Sequence, residues 1–220
     1  MKKFVLVLGA MAIVGCSETE EAVPEEVAGM EQMTATGAFI LDYADGSRLL
    51  TYTDADGTQV YSDLSLVGTW EATETGACFN VTDTTEEDAE EVRNCTTSAG
   101  EVGEDGSYTV SYDEMPPASW RRLDRELVPG ESVSMEAGVF EGTLEDGTNV
   151  LAVGDEDGDF YAGTIMGTGT WQVIDGKRCG TPDDPEMEAG CGVVGEVAED
   201  GNSWTAIPDE GEPFTVTRIL

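Results

Sequence analysis

Two short acidic segments hold the residues whose types and spacing best suit metal chemistry. Carboxylate oxygens are preferred ligands of Ca²⁺, which takes about six to eight oxygen ligands in proteins. Both segments are rich in acids, and they recur at matched positions of the chain, so a weak calcium site is one interpretation of them. The candidate ligands are Asp54, Asp56, Asp155, Asp157 and Asp159.

The same segments also fit acidic hairpin turns. Their glycines, Gly57 and Gly158, stand fourth in each segment, and Met166 stands twelfth in the second. An EF-hand loop instead has glycine sixth and glutamate twelfth. Asp-Gly between apolar runs is a strong hairpin signal, because glycine readily adopts positive φ. The pattern favours turns, leaves calcium as the alternative, and predicts no other cofactor.

Common catalytic groups are missing from the sequence. The chain contains no histidine, which excludes histidine-based triads and histidine-ligated zinc. Lys177 is the only lysine outside the amino-terminal pair and lies in a predicted turn, which argues against a Ser–Lys nucleophile. A carboxylate pair could hydrolyse glycosides, but nothing singles out two of the 46 acids. We therefore predict that the protein is not an enzyme.

The amino terminus has the layout of an export signal. Two lysines precede an apolar run, Phe4–Val14, which is shorter than the roughly 20 residues of a membrane-spanning helix. Its end, Ile13-Val14-Gly15-Cys16, resembles the lipobox of bacterial lipoproteins. The resemblance implies a signal peptide of residues 1–15 and a lipid on the sulfur of Cys16. Ser17 in place of aspartate implies sorting to the outer membrane. The resemblance does not decide whether the protein is on the periplasmic face or on the cell surface.

Charge limits the expected partners. Residues 16–35 are rich in glutamate and lack apolar periodicity, which is typical of a solvated tether. The whole chain has 46 acidic and 10 basic residues, a net charge of −36. Such a surface repels nucleic acid phosphates and anionic lipid heads. We expect no nucleic acid partner and membrane contact only through the amino-terminal lipid, while a cationic protein is a candidate partner.

The chain contains a tandem repeat. Residues 37–78 align without a gap onto residues 138–179, with 12 of 42 positions identical, including Gly-Thr-Trp at Trp70 and Trp171. Beyond Cys95 and Cys191 the alignment resumes at an offset of 96 residues. If Cys16 carries the lipid, it cannot form a disulfide, and four cysteines remain for an exported protein in an oxidising compartment. Because a unit that folds by itself would carry its own pair, we predict Cys78–Cys95 and Cys179–Cys191 disulfides.

Repeated Asp-Gly pairs at intervals of about 11 residues predict short antiparallel strands. The predicted fold is all-β, with two homologous sandwich- or barrel-like units, each holding one disulfide; one pseudo-symmetric barrel is the alternative. The predicted boundaries are 36–124 for unit 1, 125–136 for a linker with weak helical character, and 137–220 for unit 2. We read strands near 37–44, 47–53, 58–66, 68–73, 77–81, 107–112 and 118–123, with counterparts in the second unit.

Two further sets of residues have competing interpretations. Trp70 and Trp171 could stack on sugars, but their matched positions favour core anchors of the two units. Arg121, Arg122 and Arg125 could hold a small acidic ligand, although in so acidic a chain pairing with nearby carboxylates is the simpler interpretation. The sequence thus predicts a lipid-anchored structural or binding module, with capture of calcium or of a cationic protein as the alternative.

Overall fold

The computed structural model describes residues 29–74, 76–86, 88–133 and 136–220. The signal peptide, Cys16 and the tether up to residue 28 lie outside these residues. Within these residues, one helical turn, α1 (Met30–Met33), precedes fifteen strands. Within the described part of the chain, no helix has the length and apolar character needed to cross a membrane. The strands are β1 (Gly37–Asp42), β2 (Arg48–Thr53), β3 (Thr58–Asp63), β4 (Leu66–Ala72), β5 (Ala77–Asp83), β6 (Val92–Ala99), β7 (Ser107–Tyr112), β8 (Ala118–Arg122), β9 (Gly138–Thr143), β10 (Asn149–Gly154), β11 (Asp159–Ile174), β12 (Lys177–Pro182), β13 (Gly190–Val197), β14 (Ser203–Pro208) and β15 (Phe214–Arg218).

The strands close into two antiparallel rings of eight that share the long strand β11. Barrel B runs in chain order from β4 to β10 and closes on the first half of β11, which pairs with both β10 and β4. Barrel A consists of β1–β3, the second half of β11, and β12–β15, with β15 paired to β1. The predicted all-β fold with barrel-like units is confirmed.

Each barrel combines strands from both sequence repeats. At the boundary, Ser62 of β3 lies opposite Ile165 of β11, and Thr69 of β4 lies opposite Asp159 of the same strand. The first three strands of each repeat therefore complete a barrel whose other five strands come from the other repeat. The boundaries of the sequence repeats and the boundaries of the barrels therefore fall at different strands. The predicted units correspond to the sequence repeats and not to the closed barrels.

Each barrel contains one of the two predicted disulfides, and both pairings are confirmed. Cys78 of β5 is bonded to Cys95 of β6 in barrel B, and Cys179 of β12 is bonded to Cys191 of β13 in barrel A. In each case the two cysteines lie directly opposite each other on neighbouring strands. The bonds therefore staple adjacent strands of one ring.

The largest apolar core lies between the barrels. Its fully buried members include Leu50 of barrel A and Leu151 and Val139 of barrel B. Tyr52 also belongs to this core and donates its hydroxyl to the carbonyl of Leu123 at 2.9 Å, which ties the barrels together. Because side chains alternate between the faces of a strand, the residues next to these core members point into the barrels.

A close backbone approach marks the junction of the two rings. A Cβ atom on Gly163 of β11 would lie 1.8 Å from the carbonyl oxygen of Asp63, at the end of β3. The amide of Ser65 donates to the carbonyl of Ala162 at 3.1 Å, immediately after the chain leaves barrel A. Only glycine allows this contact, so Gly163 is a requirement of the crossing.

The structure differs locally from the sequence expectations. Strands β6 and β13 were not predicted, because their threonines, serines and glycines interrupt the alternation of apolar and polar residues that indicates a strand. The described part of the linker contains turns and one isolated β-bridge, Glu101 with Ser132, in place of the weak helix. Met33, placed within the tether by the sequence, is 2 % exposed. The packed part of the chain therefore begins before the predicted residue 36.

Candidate functional site: the two barrel cavities

Neither barrel is filled by its inward-facing side chains. Barrel B encloses a cavity of about 540 Å³, and barrel A one of about 610 Å³. Both volumes fall in the range of about 300 to 1,000 Å³ that is usual for small-molecule sites. An eight-stranded ring is wide enough to hold one small ligand. The interiors are therefore the natural candidates for a functional site.

Cavity B, the interior of barrel B, has aromatic walls. Phe79 and Phe160 contact each other with ring centroids 4.8 Å apart. Among the residues lining this cavity none is basic, and its acids are Asp83, Glu114 and Glu136. The aromatic residues that line it come from six strands. The aromatic lining residues are Trp70, Phe79, Tyr108, Tyr112, Trp120, Phe140 and Phe160.

Glycines on the facing strands make room for the two tryptophans. Gly142 lies opposite Trp120, and a Cβ atom there would stand 2.7 Å from its ring. A Cβ atom on Gly154 would stand 2.9 Å from Nε1 of Trp70. A larger residue at either position would force the neighbouring ring to move, so both glycines are needed for the tryptophans to lie as they do.

Two buried polar atoms beside cavity B lack a hydrogen-bond partner within the described residues. They are Oδ1 of Asn94, an acceptor, and Nε1 of Trp120, a donor, and both side chains line the cavity. A buried polar atom without a partner costs roughly 1 to 3 kcal/mol. Each atom therefore marks a place where a ligand group or an ordered water would complete the hydrogen bonding.

Two tyrosines give cavity B a neutral polar edge. Burial raises the pKa of Tyr108 to about 12, a rise that the nearby Arg122 opposes. Burial also raises the pKa of Tyr112, against the effect of the Trp120 indole, whose N–H lies near the hydroxyl without normal hydrogen-bond geometry. Both phenols are therefore protonated at neutral pH and can donate or accept hydrogen bonds.

Exposed apolar side chains surround the entrance to cavity B. Val92 and Met115 line the cavity and are 54 % and 44 % exposed. Large exposed hydrophobic residues beside a pocket are typical of binding sites. The entrance and the walls thus favour an apolar ligand.

Cavity A, the interior of barrel A, is more polar. Phe39 and Trp204 form an edge-to-face pair with centroids 5.7 Å apart, and Val216 packs with them. The lining also includes Thr51, Thr53, Gln59 and Arg178. The aligned positions in barrel B are Ala152, Gly154, Phe160 and Ala77. The duplication has kept the ring and changed the chemistry of its interior.

The predicted calcium residues lie in two turns of different barrels. In barrel A, Oδ1 of Asp54 accepts the amides of Asp56 and Thr58 at 3.0 and 2.9 Å. In barrel B, Oδ1 of Asp155 accepts the amide of Asp159 at 2.8 Å, and no side-chain hydrogen bond of Asp157 is found in the described structure. No group of three or more potential ligands comes together among the described residues. These contacts agree with turn chemistry.

Arg121, Arg122 and Arg125 all pair with carboxylates. Arg122 binds Asp124 and Glu136, each at 2.7 Å, and Arg125 binds Glu136 at 2.7 Å. Arg121 pairs with Glu141 across the β8–β9 ladder. The interpretation as ion pairs within the fold is confirmed.

Sequence reasoning missed the residues that shape the cavities. Arg178 precedes Cys179 and aligns with Ala77 of the first repeat. This replacement of an alanine by an arginine was the only sequence signal that could have indicated a role for Arg178. Asn94 precedes a half-cystine in the unpredicted strand β6 and gave no signal of its own. Trp70 and Trp171, interpreted as core anchors, line cavity walls.

Comparisons of this chain with protein-family models, with curated proteins and with solved structures find no match.

Proposed function

We propose that this protein is a lipid-anchored, non-enzymatic binding protein of the bacterial cell envelope, and that cavity B holds a small, mostly apolar ligand with a flat ring. The observation that carries the proposal is the cavity of about 540 Å³ walled by seven aromatic residues. Flat rings offer large apolar contact at low entropic cost, and they stack on a planar ligand.

The polar atoms around cavity B add selectivity to this apolar site. Asn94 and Trp120 supply one acceptor and one donor without partners in the described structure, and the neutral hydroxyls of Tyr108 and Tyr112 line the same space. A ligand with one or two neutral hydrogen-bonding groups on an apolar frame would match this arrangement. A strongly anionic ligand would not, because no basic side chain lines the cavity and three acids do.

A matched pair of cavity-filling variants tests the site. The mature chain is prepared with Cys16→Ser, so that no acyl chain interferes with apolar probes, and is titrated with the uncharged fluorophore N-phenyl-1-naphthylamine. We expect a saturable rise in fluorescence. Ala152→Phe, which fills cavity B from β10, abolishes it. Thr51→Phe, at the aligned position of barrel A, leaves it unchanged. Absent binding, or equal binding by both variants, refutes the proposal.

The cellular part of the proposal rests on the lipobox. We expect the unaltered chain to partition with outer membranes and to incorporate radiolabelled palmitate, and Cys16→Ser to lose both properties. More than one acyl chain is what stable anchoring requires. An unlabelled chain, or a Cys16→Ser chain that still fractionates with the membrane, contradicts the anchor.

A further inference from the structure

We propose that cavity A is a second, chemically distinct binding site, which takes a small apolar monocarboxylic acid on Arg178. This goes beyond the apolar site of barrel B, because the ligand class and the recognising group differ. The inference starts from a basic side chain inside a barrel, in a chain with 46 acidic residues.

Arg178 has no carboxylate partner among the described residues. The other arginines of the described chain are ion-paired except Arg218, which lies at the carboxy-terminal end. The neighbouring Lys177 pairs with Asp209. An arginine left unpaired next to so many acids requires an explanation, because a partly buried charge is costly unless it is compensated.

The guanidinium of Arg178 is held rigidly. Its face stacks on the Trp171 ring at 4.0 Å from the centroid. Its Nη1 donates to the carbonyls of Met33 and Ala35 at 3.1 and 2.9 Å. Burial lowers the pKa of Arg178 to about 10, which leaves the group charged at neutral pH. The side chain is thus preorganised without being neutralised.

The remaining donors of Arg178 match a carboxylate. Within the described structure, Nε and Nη2 make no hydrogen bond, and they form one edge of the planar group. That edge presents two parallel N–H donors, the arrangement that binds both oxygens of a carboxylate. The side chain lines cavity A, so a ligand in the barrel can reach it.

The rest of cavity A indicates the form of the acid. Phe39, Trp204 and Val216 supply an apolar wall for the body of the ligand. Glu188 and Glu210 also line the cavity, are exposed and make no ion pair within the described structure, so they add negative charge beside the ligand. These acids disfavour ligands with several negative charges, such as phosphates, so the site selects a monoanion.

Calorimetry with an acid and its amide tests the site. The probes are 3-phenylpropanoate and 3-phenylpropanamide, which share shape and differ in charge. We expect the acid to bind the Cys16→Ser chain about 10- to 100-fold more tightly than the amide, as loss of a charged hydrogen-bonded pair implies. Equal affinities of acid and amide, or no binding of the acid, overturn the proposal without any variant.

Variants then assign the binding to Arg178. Arg178→Met should remove the preference for the acid. Arg178→Lys should retain part of it, because the charge stays and the paired donors are lost. Arg218→Gln is the matched control and should bind as the parent does. Thr51→Phe should block the acid and Ala152→Phe should not, so failure here is distinguishable from failure of the apolar site. An acid preference that survives in Arg178→Met refutes the assignment.

Discussion

The indole N–H of Trp70 donates to the backbone carbonyl of Asp155 at 3.0 Å. Trp70 belongs to the first sequence repeat, and Asp155 opens an Asp-Gly turn of the second. The counterpart contact, from Trp171 to the carbonyl of Asp54, measures 3.1 Å. Each repeat thus fixes a turn of the other, as the exchange of strands between the barrels requires.

The two tryptophan contacts should stabilise the fold independently. Trp70→Phe keeps a ring but removes the donor to Asp155, so we expect a loss of about 1 kcal/mol in the free energy of unfolding, measured in urea. Trp171→Phe should cost a similar amount. Because the contacts lie in different barrels, the double variant should lose the sum. An unchanged urea midpoint in both single variants would contradict this account.

The crossing of the two barrels depends on Gly163. Gly163→Ala places a methyl group against the Asp63 carbonyl, and relief requires the backbone to move, so we expect a loss of at least about 3 kcal/mol in stability. Gly190→Ala is the control, because a Cβ atom there meets nothing within 4 Å. Thermal unfolding of both variants provides the measurement. Equal melting temperatures would show that the strands do not cross as described.

Each disulfide should contribute to stability by limiting the unfolded chain. Replacing Cys78 and Cys95 together by serine should lower the free energy of unfolding by about 3 kcal/mol in the chain-entropy model. The corresponding Cys179/Cys191 variant should lose slightly less, since its sequence separation is 12 rather than 17. Guanidinium titrations of the two double variants test this, and an unchanged midpoint in either would contradict it.

One hairpin turn should make stability depend on pH. Oδ1 of Asp105 accepts hydrogen bonds from the amide and hydroxyl of Ser107 at 3.0 and 2.8 Å. The hydroxyl bond is the main cause of the lowered pKa of Asp105. A carboxyl whose pKa is lower in the folded state contributes stability above its unfolded pKa, near 4, and loses that contribution as pH falls through the folded value.

Ser107→Ala should therefore be less stable than the parent at pH 7. The difference should shrink below about pH 4 and vanish once Asp105 is protonated in both states. Urea titrations between about pH 2.5 and pH 7, a range that spans the ordinary pKa of aspartate, measure the difference. A difference that stays constant over this range would assign the effect of the hydroxyl to something other than the carboxylate.

Calcium should not act specifically on the Asp-Gly turns. The Asp54 and Asp155 carboxylates are already engaged by amides of their own turns, so we expect millimolar calcium to raise the melting temperature no more than sodium chloride of equal ionic strength. A ligand specific for the native state would raise it further by mass action. A larger calcium shift, lost in Asp54→Asn or Asp155→Asn, would restore the calcium hypothesis.

The turns, most strands and both disulfides could be predicted because they depend on local signals. Asp-Gly pairs mark the hairpins, and matched cysteines mark neighbouring strands. The closure of the rings could not be predicted in this way. β4 and the second half of β11 share Gly-Thr-Trp at Trp70 and Trp171, so the sequence of β3 contains no local information on which of them it pairs with. That choice depends on the whole assembly.

The cavities were beyond prediction for a related reason. An inward-facing phenylalanine in a filled core and one on a cavity wall have the same alternation along the strand, so Phe79 and Phe160 give no signal of empty space. Arg178 becomes informative only when the structure places it inside a ring and beside Trp171. Distances across the barrel, rather than along the chain, decide the character of the site.

The shared strand β11 has a consequence for how such a molecule could arise. A chain with one copy of the repeat could close β3 onto its own β4, or it could exchange three strands with a second chain and form the same pair of barrels as a dimer. Joining two copies head to tail makes that exchange intramolecular and independent of protein concentration. The two barrel interiors can then diverge in sequence, because the two copies of each duplicated position lie in different barrels and can mutate independently.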